Sequence, residues 1–230
     1  MSRNATKDLT TGAPMKLILG VGIPLLFGML FQQFYNMMDT IIVGKFLGVS
    51  ALASVGATGS INFMIIGFCM GVCNGFAIPV AQRFGAKDEH GMRKFVANSV
   101  WLSIIFAVVM AVLVCVFCRQ ILELMNTPED IIDGSYSYIF VIFLGIPATY
   151  MYNLLSGIMR SLGDSKTPLY LLIFSSILNI ILDLLSIIVL KMGVAGAAWA
   201  TVIAQAVSGF CCLGVIWKKF PILHVQREEW

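Results

Sequence analysis

Residues 17–43 read LILGVGIPLLFGMLFQQFYNMMDTIIV, an apolar run that is interrupted near its end by Asp39. About 20 apolar residues in a helix are enough to cross the hydrocarbon core of a bilayer, so this run is long enough to span one. It is too long for a cleaved signal peptide, and it carries Gln32, Gln33 and Asn36. Similar runs recur to the end of the chain, and the sequence therefore predicts an all-α, polytopic membrane protein.

The composition supports this fold class. Of the 230 residues, 59% are hydrophobic and 12% are charged, and a soluble domain would need more polar surface. The alternating pattern of a membrane β-barrel is absent. We predict a bundle of six transmembrane helices, over residues 17–43, 52–82, 95–118, 135–159, 168–190 and 194–217.

The basic residues predict the orientation. Twelve of the fifteen lie in the two termini and in the second and fourth loops, and only Lys45, Arg119 and Lys191 lie on the other side. Cytoplasmic segments carry the excess of basic residues, so both termini should be cytoplasmic in a multi-pass protein of the cell membrane. The predicted regions are a tail (1–16), a six-helix lobe (17–217) and a second tail or the start of a linker (218–230). The net charge of +3 requires no nucleic-acid partner.

Catalytic chemistry has no support in the sequence. Catalytic triads, phosphate-binding loops and metal-ligand clusters are all absent, and the six cysteines lie within the predicted spans. We therefore expect a protein that is not an enzyme and that needs no cofactor.

Two features suggest how the helices pack. Small residues spaced four apart lie on one face of a helix and let backbones approach closely in lipid. Such a stripe predicts tight contacts for the second and sixth spans, and proline predicts kinks in three spans. The stripes are Gly67, Gly71 and Gly75, and Gly196, Ala200, Ala204 and Ser208, and the prolines are Pro24, Pro79 and Pro147.

Asp39 and Asp183 are the only two of the twelve acidic residues that lie well inside spans. An acidic residue at the centre of a membrane helix costs about 2.5–3.5 kcal/mol on insertion scales, so such residues are candidates for function. At 1.5 Å per residue, the two aspartates lie at depths that agree to within about 3 Å. Thr201 lies near the same level, and Ser175 and Asn179 precede Asp183 at four-residue steps, on one face.

Two carboxylates at one depth with no buried basic partner cannot easily both stay ionised, so one takes a proton or both hold a cation. Hard cations prefer oxygen ligands. We therefore predict a coupling site for H⁺ or Na⁺ at Asp39, Asn179, Asp183 and Thr201. The alternative is that the polar groups only hold helices together, although such bonds average about 0.6 kcal/mol in membranes. Further polar residues are expected to line a neighbouring cavity: Gln32, Tyr35, Asn36, Asn153 and Ser156.

The stretch RSLGDSKTPLYLLIFSSILNIILDLLSIIVLKMGVAGAAWATVIAQ (160–205) carries the most specific motifs. These are an R-x-x-G-D-x-K-x-P loop, an N-x-x-x-D helix and a G-x-x-G-x-A-x-A-T helix start. With the first span and the segment GFAIPVAQRFGAKD (75–88), they resemble the N-terminal half of a multidrug and toxic compound extrusion (MATE) transporter.

This resemblance implies an exporter of two six-helix lobes around a cleft, which expels organic cations and drugs in exchange for H⁺ or Na⁺. It implies a cation site in this lobe at Asp39, Asn179, Asp183 and Thr201. It also implies nearby substrate-cavity residues, namely Gln32 or Gln33, Tyr138, Asn153 and Ser156.

Family members have twelve spans, whereas six are predicted here. We expect a fragment, a truncated product or a half-size protein, whose partner is the missing C-terminal lobe or a second copy of the chain. Two other readings stay open: a lipid-linked oligosaccharide flippase of the same superfamily, and a non-transporting lobe with a structural or assembly role.

Overall fold

The computed structural model describes residues 12–223, so most of the two predicted tails, 1–16 and 218–230, lies outside the described residues. Each long helix reverses the direction of the one before it. A π-helical turn (Leu185–Val189) extends the seventh helix and a 3₁₀ turn (Pro221–Leu223) follows the eighth. The helices are α1 (Pro14–Leu47), α2 (Val49–Gly85), α3 (Glu89–Val116), α4 (Cys118–Leu124), α5 (Ile132–Leu144), α6 (Ile146–Ser161), α7 (Lys166–Leu184) and α8 (Gly193–Lys219).

The six-span prediction is confirmed. Five helices are long and apolar enough to cross a membrane, and α5 with α6 forms a sixth span that bends by 46°. The bend follows from Pro147, which lies in the first turn of α6 and has no N–H to continue the α5 ladder. Pro24 and Pro79 lie inside α1 and α2, which continue past them.

Short connections join α2 to the helices before and after it. Gly48 alone separates α1 from α2 and adopts φ 87°, a backbone conformation that a side chain disfavours. At the other end of α2, Asp88 caps α3 by accepting a hydrogen bond from the Gly91 amide at 2.9 Å.

The prediction of close packing for the last helix is confirmed. Helix α8 packs against α5, α6 and α7, and its stripe of small residues is buried: Gly196, Ala200, Ala204 and Ser208. Because these side chains are small, α7 comes close enough for one of its side chains to bond to the α8 backbone. Ser175 Oγ donates to the Ala204 carbonyl at 3.2 Å.

The corresponding prediction for α2 is wrong. A Cβ atom added at Gly67, Gly71 or Gly75 would meet nothing within 4 Å among the described residues. The reason is that α2 packs through a different row at the same spacing, which runs from Ile61 through Ile65 and Cys69 to Cys73. Apolar volume rather than glycine makes this contact.

The two ends of the bundle differ in charge. The end at which α1 begins and α2, α6 and α8 end is called the basic end here, because Arg83, Lys87, Lys166 and Lys219 lie there. The opposite end is called the acidic end, because the α4–α5 region carries Glu123, Glu129, Asp130 and Asp133.

Candidate ion and substrate site

The bundle brings Asp39 and Asp183 together in its acidic half. Asp39 lies on α1 with 8% of its surface exposed, and Asp183 is the second-last residue of α7, with none exposed. Their carboxyl groups are close enough to form a hydrogen bond when one of them is protonated. The sequence predicted that the two aspartates lie at one depth, and in the structure they are neighbours.

Thr201 connects three helices at this site. Its hydroxyl accepts hydrogen bonds from the Tyr35 hydroxyl of α1 at 3.2 Å and from the Asn179 amide of α7 at 3.3 Å. The same hydroxyl donates to the Ala197 carbonyl one turn earlier in α8, at 3.1 Å. A hydroxyl has one proton and two lone pairs, so these three bonds use its full capacity.

Four buried oxygen atoms around the two aspartates have no hydrogen-bond partner within residues 12–223. They are Oδ1 of Asp39, Oδ1 of Asn179, and both carboxylate oxygens of Asp183. No ion pair from a described lysine, arginine or histidine reaches either aspartate. Buried polar atoms are normally paired, and an unpaired buried carboxylate is especially unfavourable.

This set of oxygen atoms fits a small hard cation or a shared proton. A proton would convert one carboxyl into a donor to the other, and Na⁺ would accept electron density from several oxygens at once. Because the side-chain nitrogen of Asn179 donates to Thr201, its side-chain oxygen has no partner and is available to bind a cation together with the carboxylates. These residues are therefore chemically suited to hold either H⁺ or Na⁺.

A cavity of about 140 Å³ opens beside the pair. It is called the Asp39 cavity here, because Asp39 lies in its wall while Asn179 and Asp183 are buried behind it. Most residues predicted for a substrate cavity lie in its wall, together with Thr201: Gln32, Tyr35, Asn36, Tyr138 and Asn153.

Two predicted cavity residues lie elsewhere. Gln33 is exposed on α1 and accepts a hydrogen bond from Asn36 at 3.3 Å, outside the cavity wall. Ser156 is fully buried between α6 and α8, with its hydroxyl 3.9 Å from Cys212 Sγ. The structure therefore gives Ser156 a packing position rather than a place in the cavity.

Asn62 and Gln205 also line the Asp39 cavity and are not among the residues predicted from the sequence. A buried side-chain oxygen of each has no partner within the described residues. Gln205 follows Thr201 by one helical turn on the same face of α8, so the four-residue spacing was an available signal. Asn62 lies four residues from none of the predicted site residues, so no such spacing indicated it.

The MatE family model matches residues 24–185, which is more than half of the chain. The chain belongs to the MatE family. The match begins at Pro24 in α1 and ends just after Asp183, so it includes both aspartates. Membership of this family of multi-pass membrane transporters agrees with the six-span bundle and with the resemblance found in the motifs.

Relatives of this MatE chain include proteins named for drug resistance. It is 34% identical to "Probable multidrug resistance protein YoeA" of Bacillus subtilis over 86% of the present chain and 43% of that protein. It is 27% identical to the multidrug export protein MepA of Staphylococcus saprophyticus, over 92% of the chain and 47% of that protein.

A solved structure confirms the fold. The chain matches an outward-facing multidrug resistance MATE transporter with a TM-score of 0.89 at 27% identity, over 100% of the present chain and 50% of that one. The chain thus spans about half the length of the relatives and structures it matches.

Proposed function

We propose that this MatE chain acts as the N-terminal lobe of a multidrug exporter, which exchanges organic cations and drugs for H⁺ or Na⁺. One observation carries the proposal: four buried oxygens of Asp39, Asn179 and Asp183 have no hydrogen-bond donor in the described chain. A cation at this point would satisfy all of them. Structural hydrogen bonding between helices would instead leave few such atoms.

The coupling ion would be held by Asp39, Asp183 and the oxygen of Asn179. Thr201 would act as a positioning residue, because its hydroxyl is already fully bonded and holds the Asn179 nitrogen away from the carboxylates. This differs from direct ligation by Thr201, which the sequence suggested.

Asp39 could link ion binding to substrate binding. It belongs both to the ion site and to the wall of the Asp39 cavity, whereas Asp183 is shielded from that cavity. An organic cation in the cavity and an ion at the pair would compete for the same negative charge. Binding of one would therefore favour release of the other, as antiport requires.

The substrate would also need surface outside this lobe. The Asp39 cavity holds about 140 Å³, whereas pockets for drug-sized ligands hold roughly 300–1,000 Å³. A second lobe, either a C-terminal one or another copy of the chain, would supply the remaining wall. We place the basic end of the bundle in the cytoplasm, following the bias of its basic residues.

The test is thermal melting of the detergent-solubilised chain, measured against sodium concentration and against pH. A cation that binds only the folded state raises the melting temperature by mass action. We expect sodium, acidification or both to stabilise the wild type. Asp39→Asn and Asp183→Asn should lose most of this response, because each removes a charge and keeps the size of the side chain.

The matched control is Asp133→Asn, which removes an exposed carboxylate at the acidic end that does not line the Asp39 cavity. It should respond like the wild type. If all three variants and the wild type respond alike to sodium and to pH, the aspartates have no part in ion binding and the proposal is wrong.

A further inference from the structure

A second and larger cavity lies toward the basic end of the bundle, between α1, α2, α6 and α7. Its volume is about 430 Å³, within the roughly 300–1,000 Å³ range of small-molecule pockets. It is called the Arg160 cavity here, after the only charged residue among the described residues that line it. Much of the remaining wall is apolar, including Leu25, Met29, Leu169 and Leu172.

Arg160 forms no ion pair with any carboxylate in residues 12–223, although it is half-buried. The acidic residue nearest in sequence, Asp164, is already engaged. Its carboxylate accepts bonds from the Lys166 amide at 3.2 Å, the Thr167 amide at 3.0 Å and the Thr167 hydroxyl at 2.6 Å. Asp164 therefore caps α7, and the positive charge of Arg160 is not neutralised locally.

Ser165 provides a second, independent observation. Its side chain is buried, with 6% exposed, and lines the same cavity. Within the described residues, the Ser165 hydroxyl has no hydrogen-bond partner. A buried hydroxyl without a partner is unfavourable, so it indicates a polar group that it would contact.

Arg83, which also lies at the basic end of the bundle, does form an ion pair and so differs from Arg160. Arg83 lies in the last turn of α2 at the same end of the bundle, is exposed, and pairs with Asp88 at 2.9 Å. Arg160 has less access to water and no such partner. Its guanidinium carries five donors and keeps its charge, which suits a carboxylate or a phosphate.

We propose that the Arg160 cavity binds an amphipathic anion: an acidic head, carboxylate or phosphate, on an apolar tail. Arg160 pairs with the head, the Ser165 hydroxyl donates to it, and the apolar wall accepts the tail. This site prefers the opposite charge to the Asp39 cavity. The walls of the two cavities share Gln32 and Asn153, but Arg160 and Ser165 line only the Arg160 cavity. It stands whether or not the chain couples export to H⁺ or Na⁺.

Fluorescence titration in phosphatidylcholine nanodiscs tests the proposal, with 11-(dansylamino)undecanoic acid and its methyl ester as paired probes. The ester lacks the negative charge of the acid and adds one methyl group. Wild type should bind the acid about tenfold more tightly than the ester, since a charge-assisted bond contributes about 1.5–3 kcal/mol and 1.4 kcal/mol is tenfold. Arg160→Gln should remove this preference, and Arg160→Lys should keep part of it.

Arg83→Gln is the control, since it removes an arginine at the same end but outside the cavity, and it should keep the preference. Ser165→Ala should reduce it about threefold. Equal binding of acid and ester by the wild type would overturn the proposal, and this comparison needs no variant to fold. An equal loss in Arg83→Gln and Arg160→Gln would overturn it too.

Two further arms distinguish the sources of the anion. Native mass spectrometry of the chain from phosphatidylglycerol-containing discs should show retained phosphatidylglycerol that Arg160→Gln loses, if the head is a lipid phosphate. Displacement of the dansyl acid by decanoate, without retained lipid, would assign the site to free amphipathic carboxylates. Either result supports the site. If neither phosphatidylglycerol nor decanoate binds there, the proposal is wrong.

Discussion

The side-chain nitrogen of Asn179 donates to the hydroxyl of Thr201 at 3.3 Å, and this contact fixes which end of the Asn179 amide faces the aspartates. The Asn179 oxygen is left buried beside Asp183 without a donor in the described chain. A neutral hydroxyl on α8 thereby increases the negative potential at a site made by α1 and α7.

Thr201→Val tests this positioning role. Valine has nearly the same shape but leaves the Tyr35 and Asn179 donors without their acceptor, at a cost of about 1–3 kcal/mol for buried groups. We expect a lower melting temperature and a weakened, though not abolished, sodium or pH response. Thr201→Ser keeps the hydroxyl and should retain both. A full response in Thr201→Val would show that Asn179 needs no such support.

Gly145→Ala should destabilise the bend between α5 and α6. A Cβ at Gly145 would fall within the side chain of Val202 on α8, with Cγ1 at 2.9 Å. Valine is stiff about its χ1 angle and cannot easily move away, so we expect a cost of about 1–3 kcal/mol. The measurement is thermal unfolding in detergent.

The partner change Val202→Ala should restore much of that loss in the double variant. Gly59→Ala is the control, because a Cβ there meets nothing within 4 Å. No destabilisation in Gly145→Ala would mean that α8 moves aside at this contact.

The two stripes of small residues should respond differently to a large side chain. Ala204→Leu places volume where α7 and α8 are in contact, at a residue with 1% of its surface exposed, and should lower stability strongly. Gly71→Leu, on α2, adds volume to open space in the described structure and should be tolerated by the chain on its own. Melting temperatures that fall equally would contradict this difference.

Asp88 should make the stability of the loop between α2 and α3 depend on pH. The Gly91 amide, and then the Arg83 guanidinium, hold the pKa of Asp88 below its ordinary value of 3.8. A lowered pKa means that the stabilisation is present above the ordinary value and is lost as the pH falls through the folded value. The melting-temperature advantage of wild type over Asp88→Asn should therefore shrink in acid.

Glu129→Gln is the comparison for that series, because it changes an exposed carboxyl at the acidic end. Its melting temperature should differ little from wild type at neutral pH. An advantage over Asp88→Asn that grows with acidification would contradict the assignment.

Much of the fold and part of the site could be predicted from the sequence. Apolar runs long enough to cross a bilayer predicted the six spans. The positions of Asp39 and Asp183 within those runs predicted that the two residues lie at the same depth. Periodicity also placed Ser175, Asn179 and Asp183 on one buried face of α7.

Other features depend on which face of a helix meets which neighbour, and one sequence does not specify that. Spacing alone could not tell the buried stripe of α8 from the open stripe of α2. The same limit applies to Gln33, which lies one residue from the cavity-lining Gln32 yet points outward. In the sequence, Arg160 is one of the twelve basic residues that predict the orientation. That it lacks an ion pair with Asp164 is visible only in the structure, where Asp164 caps α7.

The central claim is that the aspartate pair holds one cation, and counting the cations bound per chain tests it most directly. Proton uptake by potentiometry and binding of radioactive sodium are measured on the purified chain at the same set of pH values, for wild type and for Asp183→Asn. The wild type should hold one more cation than the variant over a range of pH, as H⁺ or as Na⁺. Equal counts of H⁺ plus Na⁺ at every pH would contradict the claim.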